Sequence, residues 1–192
     1  MTPPILLRAS ERAAVPWKNG GGRTHEVMVH PPGADMAAFL WRLSIAEVAD
    51  AGPFSTFEGI DRTLAMVSGT LELAIGEAES RVRLDNQSPP VRFRGEERTF
   101  GTPVAGTAID LNAMTRRGAF AAEISPLHGG ETIAVAGDVL LIVAIAEMEI
   151  THGRDRWPLG PLDALHCFAG DIHVEPAARS GARLGYSVRF SG

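Results

Sequence analysis

Residues 52–73, GPFSTFEGIDRTLAMVSGTLEL, set the architecture. From Arg62 to Leu73 the stretch reads as strand, glycine turn, strand, with an apolar run before Ser68-Gly69 and an alternating one after it. Just upstream, Phe54-Ser55-Thr56-Phe57 puts aromatic and small polar residues where a barrel of this pattern often carries metal-binding histidines. Working outward, similar short runs recur at Thr24–His30, Phe39–Ile45, Val104–Met114, Val139–Ala146 and Leu184–Phe190. They are punctuated by 21 glycines and 13 prolines, and helical periodicity is scarce, apart from a weak helix signal at Ala46–Ala51. The pattern predicts an all-β protein of jelly-roll type.

The chain has 192 residues, enough for one sizeable core or two small halves. A net charge of −5 gives no electrostatic case for nucleic acid or an anionic membrane surface. Lys18 is the only lysine, so an anionic ligand would meet mostly guanidinium groups. A single cysteine, Cys167, rules out an intrachain disulfide framework and fits a reducing cytoplasm. The first residues lack a signal-peptide pattern, and the longest apolar run, Val139–Ala146, is too short to cross a bilayer. The expectation is a cytoplasmic protein.

A faint duplication runs through the sequence. LAMVSGTLELAI at 64–75 parallels LLIVAIAEMEIT at 140–151, and FRGE at 93–96 parallels FAGD at 168–171. Two related β-barrels follow from this reading, with a boundary near Gly118–Gly130 and some early strands crossing over to complete the second half.

Four stretches bear side chains with chemical potential. WKNGGGRTHE at 17–26 is either a glycine hairpin leading into a strand or a backbone that approaches a ligand; its spacing is not that of a phosphate loop. In FLWRLSIA at 39–46, Trp41, Leu43 and Ile45 share one face and Arg42 and Ser44 the other, as in a half-exposed strand or a pocket wall. Asp110 and Asn112 share one face of an apolar strand, where both are poor formers, so they belong to a solvated edge or a pocket. Arg62 shares a face with Leu64 and Met66. It reads either as a carboxylate-binding arginine or as half of an ion pair with Asp61, Asp110 or Glu58.

Against these, the six histidines show no HxH, HExxH or HxxxH pair, although His166 and His173 could meet across a hairpin. Cys167 has no nucleophile signature, and GxSxG is missing.

Together WKNGGGRTHE at 17–26, WRLSIAEV at 41–48, GPFSTFEGIDR at 52–62, FRGE at 93–96, DLNAMTRR at 110–117 and DALHCFAGD at 163–171 resemble the HutD/Ves family of bacterial bicupins. The resemblance implies a single bicupin unit over 1–192: two fused cupin-type barrels with few short helices, the first at about 1–118 and the second at 119–192. It also implies a regulatory role in histidine utilisation, with a small carboxylate such as N-formylglutamate or urocanate as ligand, or the stress-response role of the Ves branch. Metal-dependent cupins carry two histidines and a glutamate around their first motif. Here Phe54, Ser55, Thr56 and Phe57 stand there, with Glu58 the only ligand type, and no histidine lies between 93 and 112. The expected site is therefore metal-free and without a cofactor.

The expected pocket residues are Asn19, Arg42, Ser55, Phe57, Arg62, Asp110 and Asn112. Arg62 would pair with the carboxylate, with Arg42 as second candidate. Ser55, Asn19 and Asn112 would supply neutral hydrogen bonds, and Phe57 would wall the pocket. Asp110 would orient an arginine or accept from a ligand N–H. The rival is a metal-independent isomerase or hydrolase using Asp110 or Glu58 as general base. A purely structural partner and a homodimer are further expectations.

Overall fold

The computed structural model describes residues 2–77, 80–135, 139–175 and 182–192. In chain order its strands are β1 (Ile5–Leu7), β2 (Ala14–Pro16), β3 (Gly22–His30), β4 (Trp41–Val48), β5 (Gly52–Pro53), β6 (Ile60–Ile75), β7 (Ser80–Leu84), β8 (Val91–Arg94) and β9 (Thr99–Arg116). They continue with β10 (Ala121–His128), β11 (Thr132–Val135), β12 (Val139–Ala144), β13 (Met148–His152), β14 (Asp155–Leu159), β15 (Ala164–Cys167), β16 (Gly170–Val174) and β17 (Arg183–Ser191). The helical content among the described residues is a single 3-10 turn at Ala9–Glu11. The protein is all-β, and no helix among the described residues is long and apolar enough to cross a membrane. The chain divides into two compact units, residues 13–122 and residues 1–12 with 123–192.

The unit of residues 13–122 is an eight-stranded sheet built on two long strands. Its order is β2-β3-β4-β9-β6-β7, with β5 added to β9 and β8 added to β6. The predicted turn at Ser68-Gly69 does not form: β6 runs unbroken for 16 residues. A glycine with positive φ serves a turn or a bulge equally well, and the partner strand selects the bulge. Pairing of β6 with β9 slips between Met66 and Ser68 and again between Ser68 and Thr70, then resumes at Thr70↔Val104. Gly69 has φ +74 while β9 carries its own distortion at Ala105 (φ 59) and Gly106 (φ 119). The two strands thus bend together instead of one turning back.

A Cβ at Gly69 would sit 2.8 Å from the Thr107 carbonyl oxygen in a backbone conformation unfavourable to L-residues. Gly69→Ala is expected to lower stability by roughly 1–3 kcal/mol, read as a lower urea midpoint at constant slope. An unchanged midpoint would show that the bulge accepts a side chain.

The expected helix at Ala46–Ala51 is also absent, because β4 continues through Val48 with both edges paired, Gly22↔Val48 on one side and Val48↔Ala108 on the other. The ladder bonds leave no backbone groups for a helix. The buried cluster here includes Val48, Leu64, Met66, Leu71, Leu73, Leu84, Phe93 and Ala108.

The other unit packs a five-stranded sheet, β1-β15-β12-β17-β10, and a four-stranded sheet, β11-β16-β13-β14. Their shared core includes Leu127, Leu140, Ile142, Ile150, Leu165, Cys167, Ile172 and Val174. The amino-terminal β1 supplies an edge strand, with Ile5↔His166 in register. Asp163 fastens the segment that follows: it accepts from Arg8 Nη1 at 2.7 Å, Ala9 N–H at 2.8 Å and Gly160 N–H at 3.1 Å. Burial pushes its pKa up, but these hydrogen bonds outweigh it and hold the carboxyl below its usual value. The stretch from 140 to 151 is split between β12 and β13 in different sheets, unlike the continuous strand at 64–75.

Candidate ligand-binding site

The inward face of the residue 13–122 sheet follows from strand period and register. Along β4 it presents Arg42, Ser44 and Ala46, and along β9 Met114, Asn112 and Asp110, paired in that order. Along β6 the same three β9 residues face Arg62, Leu64 and Met66. β9 is flanked on both sides, so Asp110 and Asn112 lie on a central strand and the edge-strand reading fails. Ser44, Arg62, Asp110 and Asn112 are all buried; within the FLWRLSIA strand, buried Ser44 and half-buried Arg42 both border the cavity, so that strand is a pocket wall.

These polar side chains line a cavity of about 600 Å³. All seven expected residues, Asn19, Arg42, Ser55, Phe57, Arg62, Asp110 and Asn112, border it. Glu58 does not, and is exposed. The sequence reading missed Trp17, Lys18, Thr24, Met36 and Phe54, which also contribute to the lining.

Arg62 is the central feature. It is 5% exposed, and its guanidinium carbon lies 4.9 Å from the Phe93 ring centroid, 5.2 Å from Phe54 and 5.8 Å from Phe57. Cation–π attraction from three rings offsets part of the lost hydration. The alternative reading of Arg62 as half of an ion pair is not met: Asp61 pairs with Arg117 at 2.8 Å, and Arg62 makes a long 3.5 Å contact from Nη1 to the Ser55 carbonyl. Ser55 therefore meets Arg62 through its backbone. Arg62 Nε is buried with no hydrogen-bond partner. Desolvation lowers the Arg62 pKa to about 10, against an opposing pull from Asp110, so the group is cationic at neutral pH.

Asp110 is 1% exposed, and neither carboxylate oxygen has a partner. Burial pushes its pKa up to about 7, with Arg62 pulling the other way. Asn112 Oδ1 is buried and unpartnered too. Arg42 is already engaged, donating from Nε to Glu26 at 2.8 Å and lying 3.5 Å from Ser44 Oγ. Asn19 accepts the Gly21 N–H at 3.1 Å, closing the glycine turn, so it shapes the hairpin and borders the cavity at once.

Two glycines position the aromatic wall. A Cβ at Gly101 would lie 2.6 Å from Phe54 Cε1, and one at Gly95 would lie 2.5 Å from the Phe57 carbonyl oxygen. Gly95 also exchanges hydrogen bonds with the loop, accepting from Phe57 N–H at 2.8 Å and donating to Ile60 O at 2.6 Å. The FRGE glycine thus seats the PFSTF segment. Trp17 meets Phe54 edge-on at 5.9 Å and donates from Nε1 to Thr24 Oγ1 at 2.8 Å.

A cupin metal does not fit this donor set. The lining is dominated by phenyl rings and a buried guanidinium, leaving one carboxylate, Asp110, and two amides, Asn19 and Asn112, of which Asn19 is already engaged by the Gly21 N–H. No cluster of three His, Cys, Asp or Glu side chains suited to a metal occurs among the described residues. His166 and His173 do not meet across a hairpin, because β15 and β16 belong to different sheets. His166 packs on Phe168 at 4.2 Å, and His173 Nδ1 lies 3.0 Å from Thr132 Oγ1. Cys167 is buried, which pushes its thiol up to about 12.

The fold is that of a cupin-like all-β protein. It superposes on a cupin barrel-domain protein from Leptotrichia buccalis with a TM-score of 0.56 at 10% identity, covering 92% of this chain and 91% of that one, a likeness in fold alone. The chain belongs to the HutD family, whose profile it matches over residues 9–184. HutD from Pseudomonas fluorescens SBW25 superposes with a TM-score of 0.80 at 26% identity, covering 98% of this chain and 97% of that one. An uncharacterised 21.2 kDa protein in the hutC 3′ region of Pseudomonas putida is 32% identical over 169 residues, 86% of this chain and 87% of the relative. Protein Ves from Citrobacter koseri is 34% identical over 102 residues, 53% of this chain and 52% of the relative.

Proposed function

We propose that this protein binds a small carboxylate without a metal and serves a regulatory role in histidine utilisation, with N-formylglutamate or urocanate as the ligand. The observation that carries the reading is the Arg62 guanidinium, buried beside a cavity with no carboxylate paired to it. Asp110 acts on this cation only through its field, with no direct ion pair, and a buried cation so poorly satisfied is costly; a ligand carboxylate supplies the missing contact and hydrogen bonds. A cavity of about 600 Å³ accommodates an acid of that size, with Phe54 and Phe57 as apolar walls. The description of the Pseudomonas putida relative, in the hutC 3′ region, supports the pathway. We further propose that residues 1–118 and 119–192 approximate the two halves of a bicupin, with β1 completing the second.

A thermal-shift series with N-formyl-L-glutamate and urocanate tests the ligand class. At about 100 times its dissociation constant a ligand stabilises by roughly 2.7 kcal/mol, a readable rise in melting temperature. If neither acid raises it, the carboxylate role is wrong. The second reading, a metal-independent isomerase or hydrolase, is favoured by Asp110 alone, an unpartnered acid poised near neutrality. Conversion of either acid, followed by NMR and abolished in Asp110→Asn, would decide for it.

A further inference from the structure

We propose that Asp110 enters the bound state as a carboxylic acid, donating its proton in a hydrogen bond to the ligand carboxylate that Arg62 neutralises, so that binding takes up one proton from solvent. This pairing presupposes the carboxylate-binding role proposed above. It reverses the part expected of Asp110, from acceptor to donor.

The geometry begins with what Asp110 lacks. Both its oxygens are sealed from solvent, and no protein N–H or O–H reaches either. Its neighbours in register are Ala46 on β4 and Met66 on β6, neither of which offers a donor. As an anion it is therefore supported only by the field of Arg62, with which it makes no ion pair.

A ligand carboxylate seated on Arg62 takes that support away. Two carboxylates would then share one buried cavity, and like charges at close range do not both ionise. The proton goes to Asp110, because burial already raises its affinity for one, while the ligand acid gains the guanidinium. An O–H···O⁻ bond between the two is a strong, short contact.

The surrounding charges leave Asp110 alone in this role. Among the described residues the cavity's charged lining consists of Arg62 from β6, Arg42 from β4, Lys18 from the glycine turn, and Asp110 as the one acid. Glu26 of β3 is occupied with Arg42, and the 53–57 segment brings no charge. No other carboxylate or histidine borders the cavity among the described residues.

Calorimetric titration of N-formyl-L-glutamate at pH 8, in two buffers of different ionisation enthalpy, counts the protons directly. The expected result is an uptake approaching one proton per ligand, with affinity falling close to tenfold per pH unit above pH 7. In Asp110→Asn the uptake disappears and the affinity is flat from pH 6 to pH 9. Binding without uptake, or the same uptake in Asp110→Asn, overturns the proton assignment and leaves the carboxylate role standing. Failure of N-formyl-L-glutamate, urocanate and formate alike to bind at any pH overturns the two together.

Discussion

Asp110→Asn is expected to stabilise the unliganded protein, and to do so increasingly as the pH rises. The folded-state pKa of Asp110 is raised to about 7 by burial, against an ordinary value of 3.8. Between those values the folded chain holds a proton that the unfolded chain has released, so raising the pH favours unfolding. The loss is complete once the pH passes the folded-state value. Asparagine fills the same space without a charge to desolvate, and its stability has no such slope. The gap in unfolding free energy between variant and wild type should therefore widen by roughly 2–3 kcal/mol from pH 5 to pH 8, most of it gained below pH 7. Urea unfolding of both proteins at several pH values measures it. Parallel pH profiles would mean that the carboxyl is solvated or partnered in the folded chain.

Arg62→Met is the second large effect, and it separates binding from folding. Removing one partner of a buried charge pair typically costs roughly 2–5 kcal/mol of binding free energy, a loss of about 30-fold to a few thousand-fold in affinity. N-formyl-L-glutamate and urocanate should then produce no thermal shift. Methionine leaves an unbranched apolar chain among Phe54, Phe57 and Phe93, and sulfur–aromatic contacts replace the cation–π ones. At pH 6, where Asp110 is mostly protonated, the melting temperature is expected to equal or exceed that of the wild type. Undiminished affinity in Arg62→Met would remove Arg62 from the site. A sharply lower melting temperature would assign it a structural role instead.

The strand faces were legible in the sequence. Arg42 and Ser44 alternate with Trp41 and Leu43, and an Asp110/Asn112 pair inside an apolar run has few explanations, so period two alone located the polar floor. Asn19, Ser55 and Phe57, taken from the WKNGGGRTHE and GPFSTFEGIDR stretches, lie at the same cavity.

What stayed hidden is tertiary. Phe93 reaches Arg62 from β8, and Phe54 is seated by a glycine 47 positions further on, Gly101, so no local pattern announces the aromatic cage. Three candidate carboxylates near Arg62 looked equivalent in sequence. Only the fold sends Asp61 to Arg117 and leaves Glu58 exposed. The Ser68-Gly69 error has the same root, because the glycine permits the conformation and β9 chooses its use.

The placement of β1 has a bearing on how the chain is made. Residues 13–122 form their unit from one uninterrupted segment, which can acquire its contacts while later residues are still on the ribosome. The other unit draws on both ends of the described chain, since Ile5–Leu7 pairs with Ala164–Cys167. During vectorial synthesis β1 emerges well before β15 and must wait, unpaired, until β15 has been translated. Its three residues are short and flanked by Pro3, Pro4 and Arg8, a composition that keeps a waiting strand from recruiting the wrong edge.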